Sequence, residues 1–183
     1  MSYTMSAPEV QSSVTGKIPA GNYTVRAVKV SERTDKAPKN YMRTIISCEI
    51  VAPDIAVDEQ SPDKTRYSVA GRKFRLYLPI DPVSKQYSEA YTAFSNLGYK
   101  KSDGSIDLEQ FWSDAEAGTL FFYCQLSSVE KVVKNPDGSP WINPNTGAGM
   151  SQGWDIDFVQ PKAILARANT GTPNPTVGAG LPY

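Results

Sequence analysis

Gly21-Asn22-Tyr23-Thr24-Val25-Arg26-Ala27-Val28-Lys29-Val30 decides the fold class. Tyr23, Val25 and Ala27 alternate with Asn22, Thr24 and Arg26, the two-residue period of a strand with one buried face. Val28 and Val30 then slip the register by one. A β-bulge near Ala27 and Val28 would turn both valines inward and bend the strand, a device used where sheets curl into barrels.

The same alternation recurs downstream. Residues 31–40 are charged, contain Pro38 and read as a loop, after which Met42, Thr44, Ile46, Cys48 and Ile50 alternate with Tyr41, Arg43, Ile45, Ser47 and Glu49 in a long second strand. Residues 52–70, with Pro53, Pro62 and several charges, read as an exposed excursion. In the third strand Phe74, Leu76 and Leu78 face one way and Lys73, Arg75 and Tyr77 the other, until Pro79 and Pro82 end it. Residues 88–97 change to helical spacing, with Ala90, Tyr91, Phe94 and Leu97 on one side and Gly98 as the stop. Acidic residues 103–117 around Leu108, Phe111 and Trp112 predict a second helical turn. Residues 120–129 alternate again. The polar stretch 134–153, with Pro136, Asp137-Gly138, Pro140, Pro144 and Asn145-Thr146-Gly147, joins this fourth strand to a fifth as an extended hairpin. Trp154, Ile156 and Phe158 are the fifth strand's inward face.

Three strands, a helical insertion and two further strands are the order of a mainly β, five-stranded OB-fold barrel, in which the helix plugs one end between strands three and four. The other architecture compatible with this order is a β-sandwich or jelly roll with an irregular insertion. The expected organisation is a flexible N-terminal arm over residues 1–17, an OB-fold domain over 18–160, and a flexible C-terminal tail over 161–183, rich in Gly, Pro, Thr and Asn.

Composition bounds what such a domain does. Hydrophobic residues make up 40% of the 183, enough to pack a core with no disulfide or metal. Nineteen basic and nineteen acidic residues cancel, so no global field draws the chain to nucleic acid or anionic lipid, and any nucleic-acid surface must be local. Uncharged stretches fall short of the roughly 20 apolar residues a membrane helix requires, and the polar start lacks the pattern of a secretion signal. A cytoplasmic protein with no membrane partner is expected. Cys48 and Cys124 lie in apolar, strand-like runs, where a free cysteine acts as a small hydrophobe; a disulfide or redox role is the competing reading.

Catalytic chemistry finds little support. There is no histidine, which removes Ser-His-Asp and Cys-His schemes and every histidine metal site. Two thiols alone do not complete a tetrahedral zinc site. Asp155 and Asp157 share one strand face, an arrangement that holds a hard cation when further carboxylates converge; the plainer reading is a solvated outer face. Gly147, Gly149 and Gly153 lack the Lys-Ser or Lys-Thr ending of a phosphate loop. The expectation is a protein that is not an enzyme, with no catalytic residue, metal or cofactor.

A binding constellation stands out instead. Arg26 and Lys29 from the first strand, Tyr41 and Arg43 from the second, and Lys73, Arg75 and Tyr77 from the third fall side by side on one sheet face, and Arg33, Lys36 and Lys39 extend it through the loop. Single-stranded nucleic acid calls for this mixture of cations for the backbone and flat rings for unpaired bases. A half-exposed sheet also displays such residues for purely structural reasons. Trp141, in the last hairpin, either stacks on a base or folds back over Trp154 or the barrel rim.

Ile18-Pro19-Ala20-Gly21-Asn22-Tyr23 with Val25, the loop from Thr34 to Tyr41, the strand ending Cys48-Glu49-Ile50-Val51, and Ala70-Gly71-Arg72-Lys73-Phe74 resemble phage-encoded single-stranded DNA-binding proteins over roughly residues 18–100. The resemblance implies an OB-fold and sequence-independent binding of single-stranded DNA in bacteriophage DNA replication or recombination, inside the host cytoplasm. It also implies replication or recombination proteins as further partners. Many such proteins end in an acidic tail that recruits those partners, whereas this chain ends Leu181-Pro182-Tyr183. Long flexible ends are also compatible with a homo-oligomer on the DNA. The alternative function is a phage structural, assembly or adaptor protein that uses a β-barrel for protein–protein contacts.

Overall fold

The computed structural model describes residues 10–12, 16–34, 42–157 and 163–171. Among these the chain forms, in order, β1 (Val10–Ser12), β2 (Gly21–Thr34), β3 (Met42–Ala52), β4 (Ile55–Val57), β5 (Arg66–Ser68), β6 (Lys73–Pro79), α1 (Tyr87–Asn96), α2 (Leu108–Glu116), β7 (Phe121–Val132), β8 (Ser151–Asp157) and β9 (Ile164–Ala168). Strands β6, β3, β2, β7 and β8 lie side by side in one antiparallel sheet, and β9 joins as a sixth strand against β7. The protein is mainly β, with both helices inserted between β6 and β7.

Alternation explains the core. The inward residues of β3 (Thr44, Ile46, Cys48, Ile50), β6 (Phe74, Leu76, Leu78) and β7 (Phe122, Cys124, Leu126) are buried, with Tyr23, Val25, Ala27 and Val30 of β2 beside them. Each such position tolerates little: Leu76→Ala would cost about 2–5 kcal/mol in lost transfer energy and cavity. Both helices cap this core. Phe111 of α2 receives the rings of Phe94 and Tyr99 edge-on, with centroids 5.1 and 5.4 Å away. Asp107 caps α2 by accepting from the Gln110 backbone N–H at 3.1 Å. Gly98 ends α1 at φ +88°, a conformation that suits glycine at this position.

The bulge is present, and it differs from expectation in one detail. Ala27 pairs with Cys48 and Lys29 with Ser47, leaving Val28 as the extra residue. Val30 turns inward, but Val28 is 43% exposed. The strand also continues to Thr34, into the region read as a loop, because pairing with β3 persists to Met42.

Three other expectations are corrected. Residues 52–70 are not merely an excursion: β4 and β5 form a hairpin that β1 joins in parallel, giving a second, three-stranded sheet. Val69 and Asp58 of this region are buried, and Asp58 accepts a hydrogen bond from Lys17. Part of the expected N-terminal arm therefore pairs with the fold. Part of the expected C-terminal tail does as well, since β9 packs on β7 and the Asn96 side chain donates to the Ile164 carbonyl at 3.0 Å.

The third correction concerns closure. The sequence predicts a closed five-stranded barrel; the sheet has six strands, and among the described residues no main-chain ladder joins β6 to β8. The length of β7 is the reason. One edge of β7 pairs with β2, while the other serves β9 along 121–124 and β8 along 127–132, which sets β8 towards the far end. The Arg72 guanidinium crosses towards β8 by donating to the Trp154 carbonyl at 2.6 Å, and the Lys17 ammonium lies 5.6 Å from the Trp154 ring centroid.

Candidate nucleic-acid interface

The outward face of β2, β3 and β6 is a grid fixed by register. One row runs Arg26, Glu49, Lys73; the next Lys29, Ser47, Arg75; the third Ser31, Ile45, Tyr77; the last brings the β2 backbone at Arg33 opposite Arg43 and Pro79. Residues directly opposed in an antiparallel ladder have Cβ atoms about 4.5–5.5 Å apart. The side chains in each row are therefore immediate neighbours. The bulge at Val28 makes the second row possible, because without the extra residue Lys29 would point into the core.

Six of the expected residues thus share one face: Arg26, Lys29, Arg43, Lys73, Arg75 and Tyr77. Lys29, Lys73 and Arg75 are exposed, while Arg26, Arg43 and Tyr77 are half-buried. The Arg43 guanidinium lies over the Tyr77 ring, 5.5 Å from its centroid. Glu49 is the acid within this grid; its carboxylate pairs with Arg26 at 3.6 Å and offsets part of the first row's charge. Alternation along β3 places Glu49 outward, but its effect on the cations beside it only emerges from the register.

Other expected members do not join this group. Lys36, Lys39 and Tyr41 lie outside the described residues, as does the side chain of Arg33. Trp141 belongs to the long β7–β8 connection, where its backbone N–H donates to the Val133 carbonyl at 2.9 Å; it is not part of the β2–β3–β6 ladder. That connection exposes Ile142 and Met150, and Val129 is exposed within the β7–β8 ladder, opposite Asp155.

The remaining chemical candidates are structural in their surroundings. Cys48 and Cys124 are free and buried. Burial raises both thiols, Cys124 to about 12, so neither presents a thiolate near neutral pH. Asp155 is engaged by Lys131 at 2.7 Å, which holds its carboxyl below the usual range; the Asp157 side chain lies outside the described residues. Among the described residues no three potential ligands cluster to hold a metal, and no helix is long and apolar enough to cross a membrane.

An apolar pocket escaped the sequence reading. Pro79, Ile80, Tyr87, Tyr91, Phe94, Ile106 and Leu108 line it where β6 meets α1. The signal was the helical stripe Tyr87, Tyr91, Phe94, which is as characteristic of core packing as of a site. No known family, no curated protein and no solved structure matches this chain.

Proposed function

We propose that this protein binds single-stranded DNA without marked sequence dependence, by stacking bases on Tyr77 and neutralising phosphates with Arg26, Lys29, Arg43, Lys73 and Arg75. The supporting observation is the convergence of five cations and an aromatic ring on one register-fixed face of β2, β3 and β6. Rings on which successive bases stack, flanked by cations that track the backbone, are what unpaired strands require. The fold is read as an OB-fold barrel whose seam lies between β6 and β8, a reading supported by the Arg72 to Trp154 link across that gap. The resemblance over residues 18–100 supports a phage protein acting in DNA replication or recombination in the host cytoplasm. Replication proteins, recombination proteins and further copies of the chain are its proposed partners.

Fluorescence anisotropy of labelled oligo-dT, oligo-rU and duplex DNA, at low and moderate salt, tests this. Tight, salt-sensitive binding to oligo-dT with weak duplex binding is expected, and no binding at low salt overturns the reading. A second reading, a phage structural or adaptor protein, is favoured by the apolar side chains exposed around the β7–β8 connection, Val129, Ile142 and Met150.

A further inference from the structure

We infer that the pocket between β6 and α1 is a subsite for the methyl edge of a thymine base, at the end of the same face. This rests on the single-strand reading above and names its preferred base. Strand parity supplies the first argument. Lys73, Arg75 and Tyr77 alternate outward along β6, and Pro79, two residues further with the same parity, is buried and lines the pocket, which therefore begins one strand repeat beyond Tyr77. The Ile80 backbone N–H, donating to the Met42 carbonyl at 3.1 Å, holds the strand end in that position.

The chemistry of the walls supplies the second. Tyr87, Tyr91 and Phe94 follow one helical stripe that grades from 36% exposed at Tyr87 to buried at Phe94, and so opens outward. The Tyr91 hydroxyl donates to the Gly104 carbonyl, which fixes its ring before any ligand arrives. Ile80, Ile106 and Leu108 complete an apolar lining. At about 40 Å³ the cavity is too small for a whole base and large enough for a methyl group. Thymine's C5 methyl is the apolar feature by which proteins tell it from other bases.

The third argument is charge. The Lys100 ammonium lies 5.7 Å from the Tyr91 ring centroid, so a cation stands at the pocket wall to meet the phosphate of a base seated there. Cations therefore stand both on the outward face of β6, at Lys73 and Arg75, and at the pocket wall, at Lys100. A partner protein's apolar side chain would use the lining but not the Lys100 ammonium beside it.

The test compares oligo-dT with oligo-dU of equal length, which differ only in the methyl, by anisotropy with the wild type, Tyr87→Ala and Tyr87→Phe. Oligo-dT should bind about three- to four-fold more tightly, the effect of burying one methyl; the preference should vanish in Tyr87→Ala and survive in Tyr87→Phe. Equal affinity of the wild type for both overturns the subsite and leaves single-strand binding intact. A preference that persists in Tyr87→Ala places the methyl elsewhere. Failure to bind either oligonucleotide overturns both readings. Photocrosslinking of 5-iodouracil oligonucleotides to the unmodified protein provides a check independent of mutant folding. Adducts on Tyr87 or Tyr91 are expected, and adducts confined to Tyr77 overturn the subsite.

Discussion

The guanidinium of Arg43 stands over the ring of Tyr77, 5.5 Å from its centroid, one row off their register across the β3–β6 ladder. Such a contact holds the ring in place and sets a cation beside it, so one side chain positions the stacking platform and supplies charge to the adjoining phosphate.

Replacing Tyr77 with Ala should therefore weaken binding to oligo-dT by about 1–3 kcal/mol, the typical value of one stacked base. Tyr77→Phe should bind nearly as the wild type, because the ring and not the hydroxyl provides the stack. Tyr77 is half-buried on the outer face, so the circular dichroism spectrum of both variants should match the wild type. An unchanged affinity in Tyr77→Ala would remove this ring from the site.

Charge on the grid makes a separate prediction, because Glu49 and the cations beside it act in opposite senses. Neutralising one cation that meets a phosphate should reduce the slope of log affinity against log salt by about 0.7 for a single strand. Arg75→Gln and Lys29→Gln should each show that reduction. Glu49→Gln should do the reverse, tightening binding at low salt, because Arg26 is released from its 3.6 Å partner. A Glu49→Gln affinity equal to that of the wild type would mean that Arg26 does not meet a phosphate.

Thr44 bears on stability. It is fully buried on the inward side of β3, and among the described residues its Oγ1 finds no hydrogen-bond partner. A buried hydroxyl without a partner costs about 1–3 kcal/mol of desolvation. Thr44→Val retains the β-branched shape and replaces the hydroxyl with a methyl, so it should raise stability by about 1 kcal/mol in urea unfolding. A destabilised variant would show that the hydroxyl is satisfied.

These residues also show what the chain discloses before its structure is known. Strand positions were legible because Tyr23, Ile46, Leu76 and Phe122 each sit in a run with period two, and one buried face is enough to fix such a run. The outward grid followed from the same parity. The pairing of β4, β5 and β1 was not legible, since three-residue strands are too short to display a period. Nor was β9: Ile164, Leu165, Ala166, Arg167 and Ala168 carry no alternation, and the strand is fixed by non-local contacts with β7 and α1. The open seam depends on how β8 and β9 divide one edge of β7, a competition between distant segments that local patterns do not encode.

Arg167 of β9, Asp114 of α2 and Tyr99 meet in one network, which makes the docking of that last strand depend on pH. One oxygen of Asp114 accepts from the Tyr99 hydroxyl and from the Arg167 guanidinium, both at 2.8 Å, and the other accepts from the Gln110 side chain at 2.6 Å. Burial alone would raise the Asp114 carboxyl, but these three hydrogen bonds and the Arg167 charge outweigh it and hold it below the usual range. A depressed carboxyl contributes stability above its ordinary pKa, near 4, and loses it as the pH falls through the lower folded value. Asp114→Asn should therefore lower the melting temperature at neutral pH by about 2–4 °C, the effect of roughly 1 kcal/mol in a domain of this size once the exposure of Arg167 is allowed for. The loss should shrink as the pH falls through the depressed folded value, where the wild-type carboxylate is itself protonated. Hydrogen exchange should locate it, with faster exchange at the β9 amides and little change in β3. A loss that does not shrink as acid titrates the wild-type carboxylate would mean that packing, and not the charge of Asp114, holds β9 against α2.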